Sequence, residues 1–406
     1  MKCRCQVPII ISALVVINNF LSLLIGNICF WVRYMPDSFN VTPYDVAGKV
    51  DYDRLAERFG IRPIDGQMEE RLKRLAGESH YLIRRKIFFA QRELNWLLDE
   101  YEKGNRFYVY TGIAPSGSMT VAHLLPFIMA QWLQEKFDAE VYIQIPDEEK
   151  FLNKTDPKLT LEYINGLAHE DALDIVALGF KPKKTKIYFD TEHANRIYKH
   201  AVSVAKRITF STIKDAFGFS NETNIGAIFY TSTQAVGAFI KSAEEKRKIP
   251  CLIPLGVDQD VHFRVARDVV EKLGYYKPAI IHSKFLPGLR GEQKMSSSDP
   301  NGAIYLGDSP ETVEKKINRA ITGQQSTAEL QKKHGGDPEK CAVCQYYRFL
   351  FEKDDKRLEK IFASERDGSM LAGEHKADLA KRINSFLEEH RREKERLRGR
   401  MADFIL

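Results

Sequence analysis

Phe107-Tyr108-Val109-Tyr110-Thr111-Gly112-Ile113-Ala114-Pro115-Ser116-Gly117-Ser118-Met119-Thr120-Val121-Ala122-His123 is the stretch on which the reading of the fold turns. Its first four residues are aromatic or β-branched and predict a short strand, which Thr111-Gly112 opens into a loop. From Val121 to Phe137 apolar residues recur at helical spacing: Val121, Leu124, Leu125, Ile128, Trp132 and Leu133. Strand, small-residue loop and helix, in that order, is where an open parallel sheet takes its ligands. Small side chains let the backbone approach a phosphate, and the first N–H groups of a helix have no partner inside it. Taken alone, the same residues equally describe a helix cap. The loop matches neither G-x-x-x-x-G-K-[ST] nor G-x-G-x-x-G. Pro126 is expected inside the helix that Thr120 would cap, where it removes a bond to the Ala122 carbonyl at a cost of up to ~3 kcal/mol. Local rules tend to be broken at functional sites.

The same alternation continues on both sides. Upstream, Ile83, Ile87, Phe88, Leu94, Leu97 and Leu98 predict a helix from about Leu82 to Tyr101, stopped by Gly104 and Asn105. Downstream, strands are expected at Glu140 to Ile145, Lys186 to Phe189, Cys251 to Val257 and Ala279 to Ser283. Helices are expected from about Leu159 to Leu178, from about Thr191, and from Val261 to Leu273. Strands alternating with helices predict an α/β fold, a Rossmann-like parallel sheet covered on both faces. Beyond Ser309 the pattern turns wholly helical and highly charged. The expected division is an extension over 35–82, an α/β domain over 83–305 and a helical domain over 306–406.

The 406 residues are 44% hydrophobic and 29% charged, which excludes a disordered or fibrous chain. A net charge of +6 permits nucleic-acid binding without establishing it. Residues 1–34 differ from the rest. Val7 to Val32 is an apolar run without a charge, long enough to span a bilayer, though Asn18, Asn19 and Asn27 weaken it as a span. The favoured reading makes Met35 the true start; a membrane anchor is the alternative. The six cysteines fit a reducing, cytoplasmic setting. Cys341 and Cys344 form a single C-x-x-C with no second pair nearby, and half a zinc site is usually no site, so no metal site is assigned.

A second motif, Lys294-Met295-Ser296-Ser297-Ser298, lies in a glycine-bearing loop after a strand. A lysine followed by hydroxyls suits a polyphosphate whose charge builds up during reaction. With both motifs in view, the chain resembles the class I aminoacyl-tRNA synthetases. Tyr110-Thr111-Gly112, His123-Leu124-Leu125-Pro126-Phe127, Gln144 through Lys150, Asp258-Gln259-Asp260 and Lys294 through Pro300 look like the archaeal and eukaryotic type of tryptophanyl-tRNA synthetase. The resemblance runs from about Asn40 to the C-terminus. One departure stands out. The family's first signature reads H-[IV]-G-H, and here it is Thr120-Val121-Ala122-His123.

The resemblance implies that the 83–305 domain is catalytic and that the helical domain binds the anticodon. It implies ATP and Mg²⁺ as the activating pair, tryptophan and tRNA(Trp) as substrates, and a homodimer. Gly112, Ser116, Gly117, Ala122, His123, Asp258 and Met295 would hold ATP, with Asp258 on the ribose hydroxyls. Thr120, His123, Lys294, Ser296 and Ser298 would act on the phosphates. An indole N–H can only donate, so a tryptophan pocket needs an acceptor against it. Tyr110 and Gln144 carry that role in the family pattern. Glu149, Gln234 and Gln259 match positions for the α-amino end.

Two rivals remain at this level: a tyrosyl-tRNA synthetase, and a non-catalytic RNA-binding relative, which Thr120 motivates. The alternating charges of His390-Arg391-Arg392, Lys394, Arg396 and Arg398 with Glu388, Glu389, Glu393 and Glu395 predict a salt-bridged helix face rather than a nucleic-acid site.

Overall fold

A computed structural model describes residues 39–42, 46–115 and 117–406. The apolar run at Val7 to Val32, Met35 and Ser116 lie outside the described residues. Among those described, no helix is long and apolar enough to cross a membrane.

The expected strands form. β1 (Asn40–Val41) and β2 (Val46–Ala47) pair as a small antiparallel ribbon. β3 (Arg62–Pro63), β4 (Phe88–Arg92), β5 (Tyr108–Gly112), β6 (Val141–Ile145), β7 (Thr185–Phe189), β8 (Cys251–Gly256) and β9 (Ala279–Ser283) make one sheet in the order β3-β4-β9-β8-β5-β6-β7. β9, β8, β5, β6 and β7 are parallel; β4 pairs antiparallel with β9, and the edge strand β3 pairs antiparallel with β4. The parallel strands are buried on both faces, which is why they read as continuous apolar runs. The chain passes from β5 outward to β6 and β7, then returns to lay β8 and β9 on the other side of β5. Strand order therefore reverses between β5 and β8, and the crevice beyond their carboxyl ends is where such a Rossmann-like sheet binds ligands.

One face of the sheet packs Val109, Ile143, Ile187 and Ile281 against the helices Gly66–Ala76, Leu94–Glu102 and Leu124–Phe137. The other packs Tyr108, Tyr142, Tyr188 and Ile253 against the helices Ala194–Ala205 and Asp260–Val270. Alternate residues of one strand thus serve two cores.

The helix expected from Leu82 to Tyr101 does not exist as one element. It is a short turn of helix at Tyr81–Arg84, then β4, then the helix Leu94–Glu102. Lys86 and Glu93 both take positive φ, 53° each, and break the run on either side of the strand. β4 in turn pairs with β9. Pro126 breaks no rule either. Val121–His123 is a 3-10 turn and the α-helix proper starts at Leu124, so Pro126 occupies the first turn, where an N–H has no intrahelical partner.

Beyond Ser309 only helices follow, ending in the long helix Ala372–Arg398. Its positive stripe meets the helix Leu161–Val176. His390 Nε2 lies 3.1 Å from Asp174, Lys394 Nζ 2.9 Å from Asp174 and 3.1 Å from Glu170, and Arg398 2.6 Å from Glu170. The side chains at i, i+4 and i+8 therefore seat the helical part on the α/β part. The last residues join the sheet: Ile187 N–H donates to the Phe404 carbonyl and Leu406 N–H to that of Ile187, both at 2.8 Å.

Candidate active site

A cavity of about 360 Å³ opens over the carboxyl ends of β5 and β8. Two glycines let Gln144 and Tyr110 pack at its wall. A Cβ at Gly112 would lie 2.5 Å from the Gln144 carbonyl oxygen, and one at Gly237 would lie 2.1 Å from the Tyr110 ring.

Its deep end rests on a chain of hydrogen bonds across three neighbouring strands. Tyr110 lies in the middle of β5, and its hydroxyl donates to Gln144 Oε1 on β6. Gln144 Nε2 donates to Asp190 Oδ2, just past β7, at 2.6 Å. All three are buried, Gln144 to 1% exposure. Burial, with Glu148 close by, pushes the Asp190 carboxyl well above the usual carboxylate range. Asp190 thus orients the Gln144 amide, and the Tyr110 proton is committed to Gln144. The Tyr110 and Gln144 oxygens keep lone pairs beyond this one bond and can accept. That suits a ligand N–H. Asp190 carries no sequence motif and was not anticipated.

Nearby, Gln234 lines the cavity with its Oε1 buried and without a hydrogen-bond partner. A buried acceptor left unpaired is costly, so a cationic donor is the natural complement. Glu149, also buried and lining the cavity, sits 3.1 Å from Lys150 Nζ.

The shallow end holds His123, Asp258 and the Lys294 loop. His123 Nδ1 accepts the Thr120 N–H at 3.1 Å, so its proton sits on Nε2. Desolvation, reinforced by Lys294 and Lys150, lowers His123 to about 4. It is a neutral donor at neutral pH. Lys294 Nζ is 2.7 Å from Asp258 Oδ2, which Gln259 Nε2 also reaches at 3.1 Å. Ser296 and Ser298 hydroxyls lie 2.7 Å apart. The Met295 N–H donates to the Leu286 carbonyl at 2.8 Å, and the Tyr305 hydroxyl to the Ser297 carbonyl at 2.8 Å. The first signature is also joined through backbone to the segment that follows the lysine–serine loop: Val121 N–H donates to the Ile304 carbonyl at 3.0 Å and Leu306 N–H to that of Met119 at 2.9 Å.

Of the residues singled out in the sequence, Tyr110, Gly112, Ala122, His123, Gln144, Glu149, Gln234, Asp258, Gln259, Lys294, Met295 and Ser296 line the cavity. Thr120, Gly117 and Ser298 do not. Thr120 is fully buried behind His123, its hydroxyl without a partner. His262 lines the cavity unanticipated, lowered to about 3 by burial. Asp260, quoted with Asp258, belongs to the scaffold: it bonds His282 at 2.8 Å and Arg92 at 2.9 Å, tying β4, β9 and the helix after β8.

Residues 102–388 match the family described as tRNA synthetases class I (W and Y). The chain is 48% identical over 363 residues to the tryptophan–tRNA ligase of Saccharolobus solfataricus, covering 89% of this chain and 93% of that one. The tryptophanyl-tRNA synthetase of Plasmodium falciparum superposes with a TM-score of 0.83 at 36% identity, covering 88% and 98% of the two chains. That of Encephalitozoon cuniculi, solved bound to tryptophan, gives 0.78 at 32% identity, covering 88% and 99%. A mostly parallel sheet with its cavity at the order reversal, residues of both signatures lining that one cavity, and these likenesses over most of the chain agree: the chain belongs to the tryptophanyl-tRNA synthetases, in the W and Y family of class I.

Proposed function

We propose that this cavity makes tryptophanyl-adenylate from tryptophan and ATP, releasing pyrophosphate, and that the protein then transfers tryptophan to tRNA(Trp). The observation that carries the reading is the buried Tyr110–Gln144–Asp190 chain, which offers acceptors where an indole N–H needs one. The unpartnered Gln234 oxygen, with Glu149 near it, suits the α-ammonium group.

Activation requires the substrate carboxylate to attack the α-phosphorus while the bond to the β-phosphate breaks. Alignment and charge neutralisation are the main tasks, and no protein nucleophile is needed. Neutral His123 donates from Nε2 to an ATP oxygen without adding charge. Lys294, held on Asp258 before substrate arrives, moves to the leaving pyrophosphate with Ser296. Asp258, once released, is free to accept from ribose hydroxyls. Mg²⁺ arrives as part of the nucleotide substrate. The cavity carboxylates Glu149 and Asp258 are engaged by Lys150 and Lys294 and form no oxygen cage of their own.

The helical part supplies the tRNA surface, and the protein acts as a cytoplasmic homodimer, as the likeness suggests. ATP–pyrophosphate exchange with tryptophan and tyrosine offered separately tests the reading. Exchange with tryptophan alone is expected, since a buried hydrogen-bonding pocket can discriminate by ~10⁴–10⁵. Exchange with tyrosine alone would reverse the specificity. No exchange from folded protein would favour the non-catalytic relative, a reading weakened by the placement of Thr120 outside the cavity wall.

A further inference from the structure

The C-x-x-C that lacks a second half in sequence acquires one in space. Cys341 caps the short helix Ala342–Tyr346 and Cys344 lies within it, so the i, i+3 spacing turns both sulfurs to one side. The Cys341 sulfur receives the backbone N–H groups of Gly323 and Cys344. The helix Asp355–Arg366 adds Glu365 from its last turn, and the two sulfurs and a Glu365 carboxylate oxygen lie within 4.8 Å of one another. All three residues are fully buried, at 0% exposure.

The carboxylate is incompletely satisfied. Glu365 Oε2 accepts from Gln324 Nε2 at 2.7 Å, while Oε1 is buried without a hydrogen-bond partner. His375, on the helix Ala372–Arg398, places Nδ1 2.8 Å from Oε2, in a direction that leaves this nitrogen also without a hydrogen bond. Two thiols and a carboxylate oxygen thus meet in a dry pocket among three helices, and the unfilled His375 nitrogen borders the group beside Oε2. Cys, His and carboxylate are the ligands zinc selects, and ligand atoms around tetrahedral zinc sit ~3.3–3.8 Å apart, so atoms already within 4.8 Å of one another need close by at most about 1.5 Å.

We propose that Cys341, Cys344 and Glu365, with His375 as the fourth ligand, hold one zinc ion that clips the helical region together. On binding, the two thiols release their protons to solvent. Arg348 and Lys376, close enough to act on Cys344 and Cys341, offset the remaining negative charge. A dithiol redox switch fits less well, because an exchange partner needs access that these sulfurs do not offer. The surrounding backbone is built closely around the cluster. The Gly336 N–H donates to the Glu365 carbonyl at 2.7 Å, and a Cβ at Gly336 would stand 3.2 Å from Glu365 Oε1.

Metal analysis of the full chain, purified without chelator or metal-affinity resin, tests this directly. About one zinc per chain is expected. The metal-stripped protein should melt at a lower temperature and recover with added zinc. Cobalt in its place should show a thiolate-to-cobalt charge-transfer band, and the Cys341→Ser, Cys344→Ser double variant should lose both metal and band. If that variant fails to fold, the cobalt spectrum of the unaltered chain still decides. Wild-type protein that takes up no metal on reconstitution, a metal without thiolate ligation, or a Cys341–Cys344 disulfide in freshly isolated protein would each overturn the assignment.

Discussion

At the deep end of the cavity, Tyr110, Gln144 and Asp190 stand in or just past three adjoining parallel strands and hydrogen-bond one another. At the shallow end, Lys294 and Ser296 ride on a loop, the serine exposed and the lysine held by one ion pair. In the proposed reaction the deep end discriminates by what is already in place before ligand arrives. The shallow end would work by a charge that can leave its resting partner. A rigid pocket is suited to recognising a ring that does not change during reaction, and a movable cation to following charge that does.

If that contrast is right, substitutions at the two ends must separate rate from affinity. Lys294→Ala should lower kcat for pyrophosphate exchange by about 10²–10³-fold, the scale of losing one transition-state charge stabiliser. Its effect on stability should be moderate, about 1–3 kcal/mol, because the buried Asp258 loses the lysine but keeps the hydrogen bond from Gln259 Nε2. Stopped-flow kinetics beside thermal melting reads both. A large drop in melting temperature would show the lysine to be a scaffold residue and erase the contrast.

Gln144→Ala comes next. It leaves the Tyr110 hydroxyl and the Asp190 carboxyl without their partner, a cost of about 1–3 kcal/mol, or about 5–150-fold. The loss should fall on the apparent affinity for tryptophan and spare that for ATP. Equal losses in both would mean that Gln144 supports the whole cavity rather than the indole.

The contrast also explains what the sequence could and could not disclose. The parallel strands were legible because burial on both faces leaves runs such as Ile280-Ile281 and Val141-Tyr142-Ile143. The same property hid β4. A doubly buried strand has no alternation, and Ile83, Ile87, Phe88 and Leu94 happen to satisfy helical spacing, while the breaks fall at Lys86 and Glu93, which carry no turn signal. The lysine–serine loop and His123 announce themselves as contiguous motifs. Asp190 does not, because its role comes from β7 lying beside β6, a fact of sheet order rather than of local sequence. The partners of Cys341 and Cys344 were hidden for the same reason. Thr120 shows the converse: a motif position read as chemistry whose side chain the fold buries behind its neighbour.

Asp190 permits a finer cut at the deep end. Asp190→Ala should weaken tryptophan by about 5–30-fold, the cost of about 1–2 kcal/mol for an unanchored amide. Asp190→Asn should recover most of that loss. With its carboxyl held above the usual range, Asp190 acts toward Gln144 as a neutral acceptor, which asparagine can imitate. An asparagine variant as poor as the alanine one would mean that the charged carboxylate is what the pocket uses.

The smallest effect concerns pH at the shallow end. An ordinary histidine charges near 6.5, whereas His123 is lowered to about 4, chiefly by desolvation. Its folded form therefore stays neutral down to about pH 5, and its contribution to stability is full above 6.5 and lost as pH falls toward 4. His262, lowered to about 3, acts in the same direction. The rate should follow a different rule, since a neutral Nε2–H donor is unchanged over that upper range. Between pH 5.5 and 8, kcat/KM for ATP in exchange should show no step near 6.5 that His123→Asn removes, although Glu148, raised to about 7 mainly by its burial, can contribute a step of its own in both proteins. A step near 6.5 present in the parent and absent in the variant would mean that His123 charges as it does in water, and the neutral donor would have to be given up.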